Sequence, residues 1–150
     1  MITRRLGEID FDEDSVFRFP FGLPGFENQH SFIFVRRPDM EPILFMQSTT
    51  DEELCFILVP ILVADPEYHL ELTPEDAEEL LLPQDRQPRI GEEILCAAIV
   101  CAGENATPTV NLMAPIVVNI KDRIGAQVIR VDSGYSHRAP LFRAEQPACS

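Results

Sequence analysis

The chain has 150 residues, 45% of them hydrophobic and 25% charged, with 13 Pro, 7 Gly and 4 Cys. This is the composition of one globular domain and excludes collagen-like, disordered and disulfide-scaffold classes; no apolar run approaches the ~18 residues of a membrane span. Twelve bases against 25 acids leave a net charge of −13, a field that repels phosphates and argues against direct binding of DNA or RNA. The charge is unevenly spread. Residues 38–104 hold two bases and sixteen acids, whereas residues 1–37 carry −1 and residues 105–150 carry +2. One acidic face is expected, suited to a basic partner or simply to solubility. The first eight residues hold Arg4 and Arg5 but no apolar stretch, so no secretory signal is read and the cytoplasm is the expected compartment.

In chain order, short β-rich runs broken by Pro and Gly are expected as strands at residues 15–19, 31–35, 43–48, 55–59, 93–101, 109–113, 116–120 and 126–131. Their β-branched and aromatic content fits a mainly β fold, a small antiparallel barrel-like single domain. Only the first and last alternate cleanly. Several others are apolar on both faces, so they are either central or covered by something.

Between the first two strands lies Phe19-Pro20-Phe21-Gly22-Leu23-Pro24-Gly25-Phe26-Glu27. Leu23-Pro24-Gly25-Phe26 suits a type II turn, with Pro fixing φ at the second position and Gly supplying positive φ at the third. Phe21, Leu23 and Phe26 either cap a barrel end or form an apolar docking surface. Capping is preferred, because large exposed apolar patches are rare on monomers.

One short acidic helix is expected at about residues 74–82. Thr73 is the N-cap, Pro74 the first helical residue, and Asp76 completes a near capping box. Ala77, Leu80 and Leu81 form the buried stripe, Glu75, Asp76, Glu78 and Glu79 cover the rest, and Pro83 stops the helix. Nothing basic stands at i+4 to neutralise those acids.

Signals for chemistry are weak. Cys55, Cys96 and Cys101 lie in apolar runs and read as small buried hydrophobes in a reducing compartment, while Cys149 falls in the tail. His30, His69 and His137 are far apart in sequence. Asp65, Glu67 and His69 alternate, but a Pro-containing loop entering the helix explains them better than a metal site. Asp132-Ser133-Gly134-Tyr135-Ser136-His137 holds triad residue types, yet a turn after a strand is the simpler reading. No catalytic residue, cofactor or metal is therefore expected. The domain is placed at residues 1–143 and a flexible tail at 144–150.

The Phe19–Glu27 string resembles the opening motif of the FliW family of bacterial flagellar assembly factors. Phe45-Met46-Gln47-Ser48 resembles the family's "LQS" strand, with Met46 a volume-conserving change from Leu. Asn111-Leu112-Met113-Ala114-Pro115-Ile116-Val117-Val118-Asn119 and Gly125-Ala126-Gln127-Val128-Ile129 agree in order and spacing, and the stretch from Tyr135 to Leu141, with Arg138, fits the family's end. The resemblance covers roughly residues 8–142. It implies a non-enzymatic cytoplasmic β-barrel protein, monomeric when free, with no nucleic-acid or membrane contact. The partners implied are flagellin and the RNA-binding translational repressor CsrA, so that the protein couples flagellin synthesis to assembly. Charge and exposure then direct CsrA to Glu75, Glu78 and Glu79 and to Asp51, Glu52 and Glu53. For flagellin, whose terminal segments are amphipathic helices, the candidates are Phe21, Leu23 and Phe26, with Asn111 and Asn119 as amide partners. Asn111 is also read as satisfying its local backbone, which is the preferred reading. The alternatives are a flagellin-only chaperone, a metal-binding barrel using Asp65, Glu67 and His69, and a structural subunit joined through edge strands.

Overall fold

The computed structural model describes residues 1–102, 107–130 and 132–141. Its strands are β1 (Ile2–Thr3), β2 (Gly7–Glu8), β3 (Phe17–Arg18), β4 (Ser31–Arg36), β5 (Leu44–Ser48) and β6 (Cys55–Pro60), followed after two short helices by β7 (Ile94–Cys101), β8 (Thr109–Val110), β9 (Ile116–Asn119), β10 (Ile124–Gln127) and β11 (Ala139–Pro140). The helices are α1 (Ile61–Ala64) and α2 (Pro74–Glu79). Strands β3, β4, β5, β6, β7, β9 and β10 close into a seven-stranded barrel through pairing of β7 with β9. Seven strands of strictly alternating direction cannot close a ring, so one neighbouring pair must run parallel. That pair is β3 and β10, where Arg18 stands opposite Ile124.

Strand β7 is long enough to serve two partners on one edge. Ile94 to Ala97 pair with β9, and Val100 and Cys101 pair with β8, which in turn pairs with β11 outside the ring. Between β8 and β9 the chain bulges outward. The Asn111 carboxamide oxygen accepts from the Met113 and Ala114 amides, at 3.1 Å each, and holds that bulge in shape.

The two-residue period sorts the core into two halves. Phe32, Leu44, Met46, Leu58, Ala97, Ile116 and Val118 fill the barrel, joined by Phe19 and Leu23 at one end. The other faces of β6, β7 and β9 present Val59, Ile94, Cys96, Ala98 and Val117 to a second cluster with Ile61, Tyr68, Leu70, Leu72, Ala77, Leu80 and Leu82. Residues 61–82 thus lie as a cover over one side of the barrel. This cover is why those strands are apolar on both faces. Each buried leucine or isoleucine there contributes about 1.5–3 kcal/mol. Tyr68 ties the layers together: its hydroxyl donates to the Leu112 carbonyl at 2.7 Å, its ring stacks on Tyr135 with centroids 4.3 Å apart, and burial pushes its pKa up.

Several expectations shift. The strand expected from residue 15 starts at Phe17, because Glu13–Ser15 form a 3-10 turn. The strand expected at 126–131 instead spans Ile124–Gln127. Val128 and Arg130 then run beside the bulge, donating to the Pro115 and Met113 carbonyls. The expected strand at 109–113 stops at Val110 for the same reason. Cys96 is buried, with its thiol pushed up to about 12 by desolvation, and Cys55 is half-buried. Cys101 is exposed rather than buried, because β7 outruns β6, which pairs with it only as far as Ile99. Cys149, the tail at 144–150 and the boundary at 143 lie outside the described residues. Among the described residues no helix is long and apolar enough to cross a membrane.

Candidate functional site

Both ends of α2 are set by local hydrogen bonds. The Thr73 hydroxyl accepts from the Asp76 amide (3.1 Å) and the Asp76 carboxylate accepts from the Thr73 amide (3.2 Å), a complete capping box. At the other end the Leu82 amide donates to the Ala77 carbonyl (2.8 Å) and the Leu81 amide to the Glu78 carbonyl (3.1 Å). This closing motif needs left-handed backbone at Leu81, which adopts φ +58°. The helix therefore ends at Glu79, earlier than expected, and the buried stripe changes. Leu82 turns inward with Ala77 and Leu80, while Leu81 turns out to water at 59% exposure.

Asn119 fastens this helix end to the barrel. Its amide nitrogen donates to the Leu80 carbonyl (2.8 Å), the Leu81 carbonyl (3.4 Å) and the Asp122 carboxylate (3.1 Å). Its oxygen accepts from the Lys121 and Asp122 amides at 3.1 Å each. Asn119 is only 4% exposed and its hydrogen-bonding groups are used within the fold. The next residue, Ile120, is exposed, as is Leu81 on the other side of the amide.

Glu75, Glu78 and Glu79 occupy the exposed face of α2 at i, i+3, i+4 spacing. The nearby cations of the acidic middle are committed elsewhere. Arg86 grips Glu93 through two hydrogen bonds (2.9 and 2.6 Å), and Arg89 lies 3.6 Å from Glu92. The Arg86 guanidinium, with the Arg89 amide, holds the Glu93 carboxyl down at about 2. Among the described residues no ion pair reaches Glu75, Glu78 or Glu79. Exposed leucine and isoleucine beside unpaired carboxylates have the anatomy of a protein interface, an apolar centre with a charged rim. Leu81 is also strained. A leucine in left-handed backbone costs about 1–2 kcal/mol, partly offset by glycine's greater freedom when unfolded. Leu81→Gly is accordingly expected to raise stability by about 0.5–1 kcal/mol, read as a higher urea midpoint.

The other candidate acids sit elsewhere. Asp51, Glu52 and Glu53 form the β5–β6 turn, at the end where β6 starts, whereas Asn119 and the end of α2 lie beyond the end where β6 finishes. The structure therefore does not bring the two acidic groups together. Gln47 and Ser48 shape this turn: the Gln47 amide donates to the Asp51 carbonyl, and the Ser48 hydroxyl accepts from the Thr50 and Asp51 amides. Asp51 accepts from the Glu53 amide, and Glu53 pairs with Arg4 at 3.3 Å, so this turn is less free for a cationic partner than α2.

The Phe19–Glu27 loop closes the same end of the barrel as that turn. Phe26 packs edge-on against Phe56 of β6 (5.4 Å between centroids), and Gln29 accepts from the Ser48 and Thr50 hydroxyls. The expected turn forms, with the Phe26 amide donating to Leu23 (2.7 Å) and Gly25 at φ +86°. Leu23 is 1% exposed and belongs to the interior, Phe26 is partly exposed, and Phe21 projects into water at 65%. Of the expected flagellin set, Phe21 and Phe26 are accessible and Leu23 and Asn119 are not. Asn111 is half-buried, with its carboxamide oxygen engaged in its own bulge. Among the other residues weighed, Asp65 accepts from the Glu67 amide within a loop, and the Ser133 and Ser136 hydroxyls accept from the amides two residues on.

A family model described as FliW protein matches residues 1–141. The chain belongs to the FliW family of flagellar assembly factors. It is 36% identical over 145 residues to the flagellar assembly factor FliW of Desulfitobacterium hafniense, covering 96% of this chain and 91% of that one. The FliW of Syntrophomonas wolfei is 30% identical, over 97% of this chain and 90% of its own. A crystal structure of a flagellar assembly factor FliW superposes with a TM-score of 0.85 at 27% identity, covering 97% and 98% of the two chains. Of the residues on which the FliW resemblance rested, Leu23, Gln47, Ser48 and Asn119 are buried and organise the loops that carry the surface candidates. Leu81 and Ile120 were missed as surface residues. Their only sequence signal was apolar character, which a buried stripe explains equally well.

Proposed function

We propose that this FliW-family chain binds flagellin and antagonises the RNA-binding repressor CsrA, coupling flagellin synthesis to assembly. The observation that carries the CsrA part is the unpaired carboxylate face of α2 around the exposed Leu81. A protein that binds RNA presents cationic surface. Carboxylates facing it speed encounter, and once docked they repel phosphate from the neighbouring groove. For flagellin, the accessible rings of Phe21 and Phe26 at the opposite end offer apolar anchors for one face of an amphipathic helix. Asp51, Glu52 and Glu53 lie at that same end and form its acidic rim.

The test is calorimetric titration with the cognate CsrA and, separately, with flagellin, followed by competition. Reversing Glu75, Glu78 and Glu79 to Lys is expected to weaken CsrA binding at least about tenfold at low salt and to flatten its salt dependence. Flagellin binding is expected to be unaffected by that change. CsrA affinity unaltered at both low and high salt removes α2 from the interface. Flagellin binding without any CsrA binding reduces the protein to a flagellin chaperone.

A further inference from the structure

An apolar recess bearing two arginines lies on the outer wall of β5 and β6, beneath the β1–β2 hairpin. It has a volume of about 420 Å³, within the roughly 300–1,000 Å³ of small-molecule sites. Its walls are apolar: Leu6 from the hairpin, Ile43, Phe45 and Ile57 from the barrel, and the exposed Met40 at the mouth. Two guanidinium groups, Arg5 and Arg37, and one carboxylate, Asp39, complete the lining. Arg37 is half-buried and held in place, its Nη2 donating to the Leu6 carbonyl at 2.8 Å. The Arg4 amide donates to the Glu52 carbonyl and seats the hairpin from its other side. Among the described residues neither Arg5 nor Arg37 has an ion-pair partner.

We propose that this recess binds an aliphatic carboxylate, with its chain against Leu6, Ile43, Phe45 and Ile57 and its head on the Arg5 and Arg37 guanidinium groups. Three observations select that chemistry. The floor supplies no polar side chain to satisfy a sugar or a base, so the bound body is hydrocarbon. Two guanidinium groups match a carboxylate in plane and charge. Asp39 at the rim leaves net room for a single negative charge and repels a dianionic phosphate. The net charge of −13 gives the molecule no long-range attraction for anions, so the selectivity is local to these side chains.

The experiment uses the full chain with sodium dodecanoate below its micellar concentration, read by calorimetry and by methyl NMR, with dodecanol and dodecyltrimethylammonium alongside. One-to-one binding is expected, with shifts confined to the Leu6, Ile43 and Ile57 methyls. The alcohol and the cation are expected to bind much more weakly. Arg5→Ala, a substitution at an exposed position that leaves the fold intact, should weaken dodecanoate about tenfold or more, whereas Asp39→Asn should tighten it. The proposal is overturned by absence of binding up to about 1 mM. Equal affinity for dodecanol, or an Arg5→Ala affinity equal to wild type, also overturns it. So does protection of these methyls by flagellin or CsrA without any dodecanoate effect, since the face would then be a protein interface.

Discussion

Asn119→Ala is expected to lower stability by about 3 kcal/mol and to release the end of α2 from the barrel. The side chain is buried, and its loss strips the buried Leu80 carbonyl of a 2.8 Å hydrogen bond. An orphaned buried acceptor costs roughly 1–3 kcal/mol. The Lys121 and Asp122 amides lose their shared acceptor too, but both residues are exposed and water replaces part of that contribution. The small cavity left beneath the helix end adds to the total. Urea unfolding measures the loss, and amide exchange at Leu80 to Leu82 reports the release. Asn119→Asp discriminates the donor from the acceptor. It keeps the oxygen that serves the turn but removes the donor and places a second carboxylate against Asp122, now 3.1 Å away. It is expected to be at least as damaging as alanine at neutral pH. A change within about 0.5 kcal/mol for either variant would mean that α2 is held by its leucines alone.

Gly22→Ala carries a comparable expected loss, about 3 kcal/mol, from a different cause. Gly22 sits at φ +64°, where a side chain costs about 1–2 kcal/mol. A Cβ there would meet the Phe26 carbonyl oxygen and the Glu27 Cα at 2.7 Å and the Glu27 carbonyl carbon at 2.8 Å. All three are backbone atoms, so relief requires the loop to move, and overpacking of that kind costs roughly 1–3 kcal/mol more. The loop carries Leu23 into the interior and Phe26 onto Phe56, so displacement opens the barrel end. Gly25→Ala is the internal control. Gly25 also has positive φ, at +86°, but nothing lies within 4 Å of its Cβ, so it should show the backbone strain alone. Equal losses for the two variants would assign the whole effect to backbone conformation. The difference expected from the clash should also appear as weaker flagellin binding in Gly22→Ala than in Gly25→Ala, because Phe21 and Phe26 move with the loop.

The candidate surfaces were legible in unequal measure. The capping box at Thr73 and Asp76, the turn at Leu23 to Phe26 and the exposed carboxylates of α2 were readable because each depends on neighbours a few residues away. The apolar character of both faces of β7 and β9 was visible, but its cause was not. A cover formed by residues 61–82 and a ligand surface leave the same mark on a strand. Leu81 shows the limit at the scale of a single residue. Helical spacing put it in the buried stripe. The Schellman closure instead ends the helix at Glu79, rotates Leu81 outward and buries Leu82. The β1–β2 hairpin was invisible, since two-residue strands carry no alternation, yet its Leu6 and Arg5 wall the recess on β5 and β6.

From the residues alone came the β class, the local turns and caps, the acidic middle and the family resemblance, all of which rest on composition, short spacing or strings of contiguous residues. Tertiary structure decided which candidates share a surface. Asn119 reaches Leu80 across 39 residues and the His69 amide reaches the Tyr135 hydroxyl across 66. Barrel closure separates the acids of α2 from those of the β5–β6 turn and places that turn beside the Phe21 loop. Such neighbours are set by strand register and by the one parallel pair that closes an odd ring. Neither leaves a periodic trace in the chain, because each couples segments whose local patterns are independent.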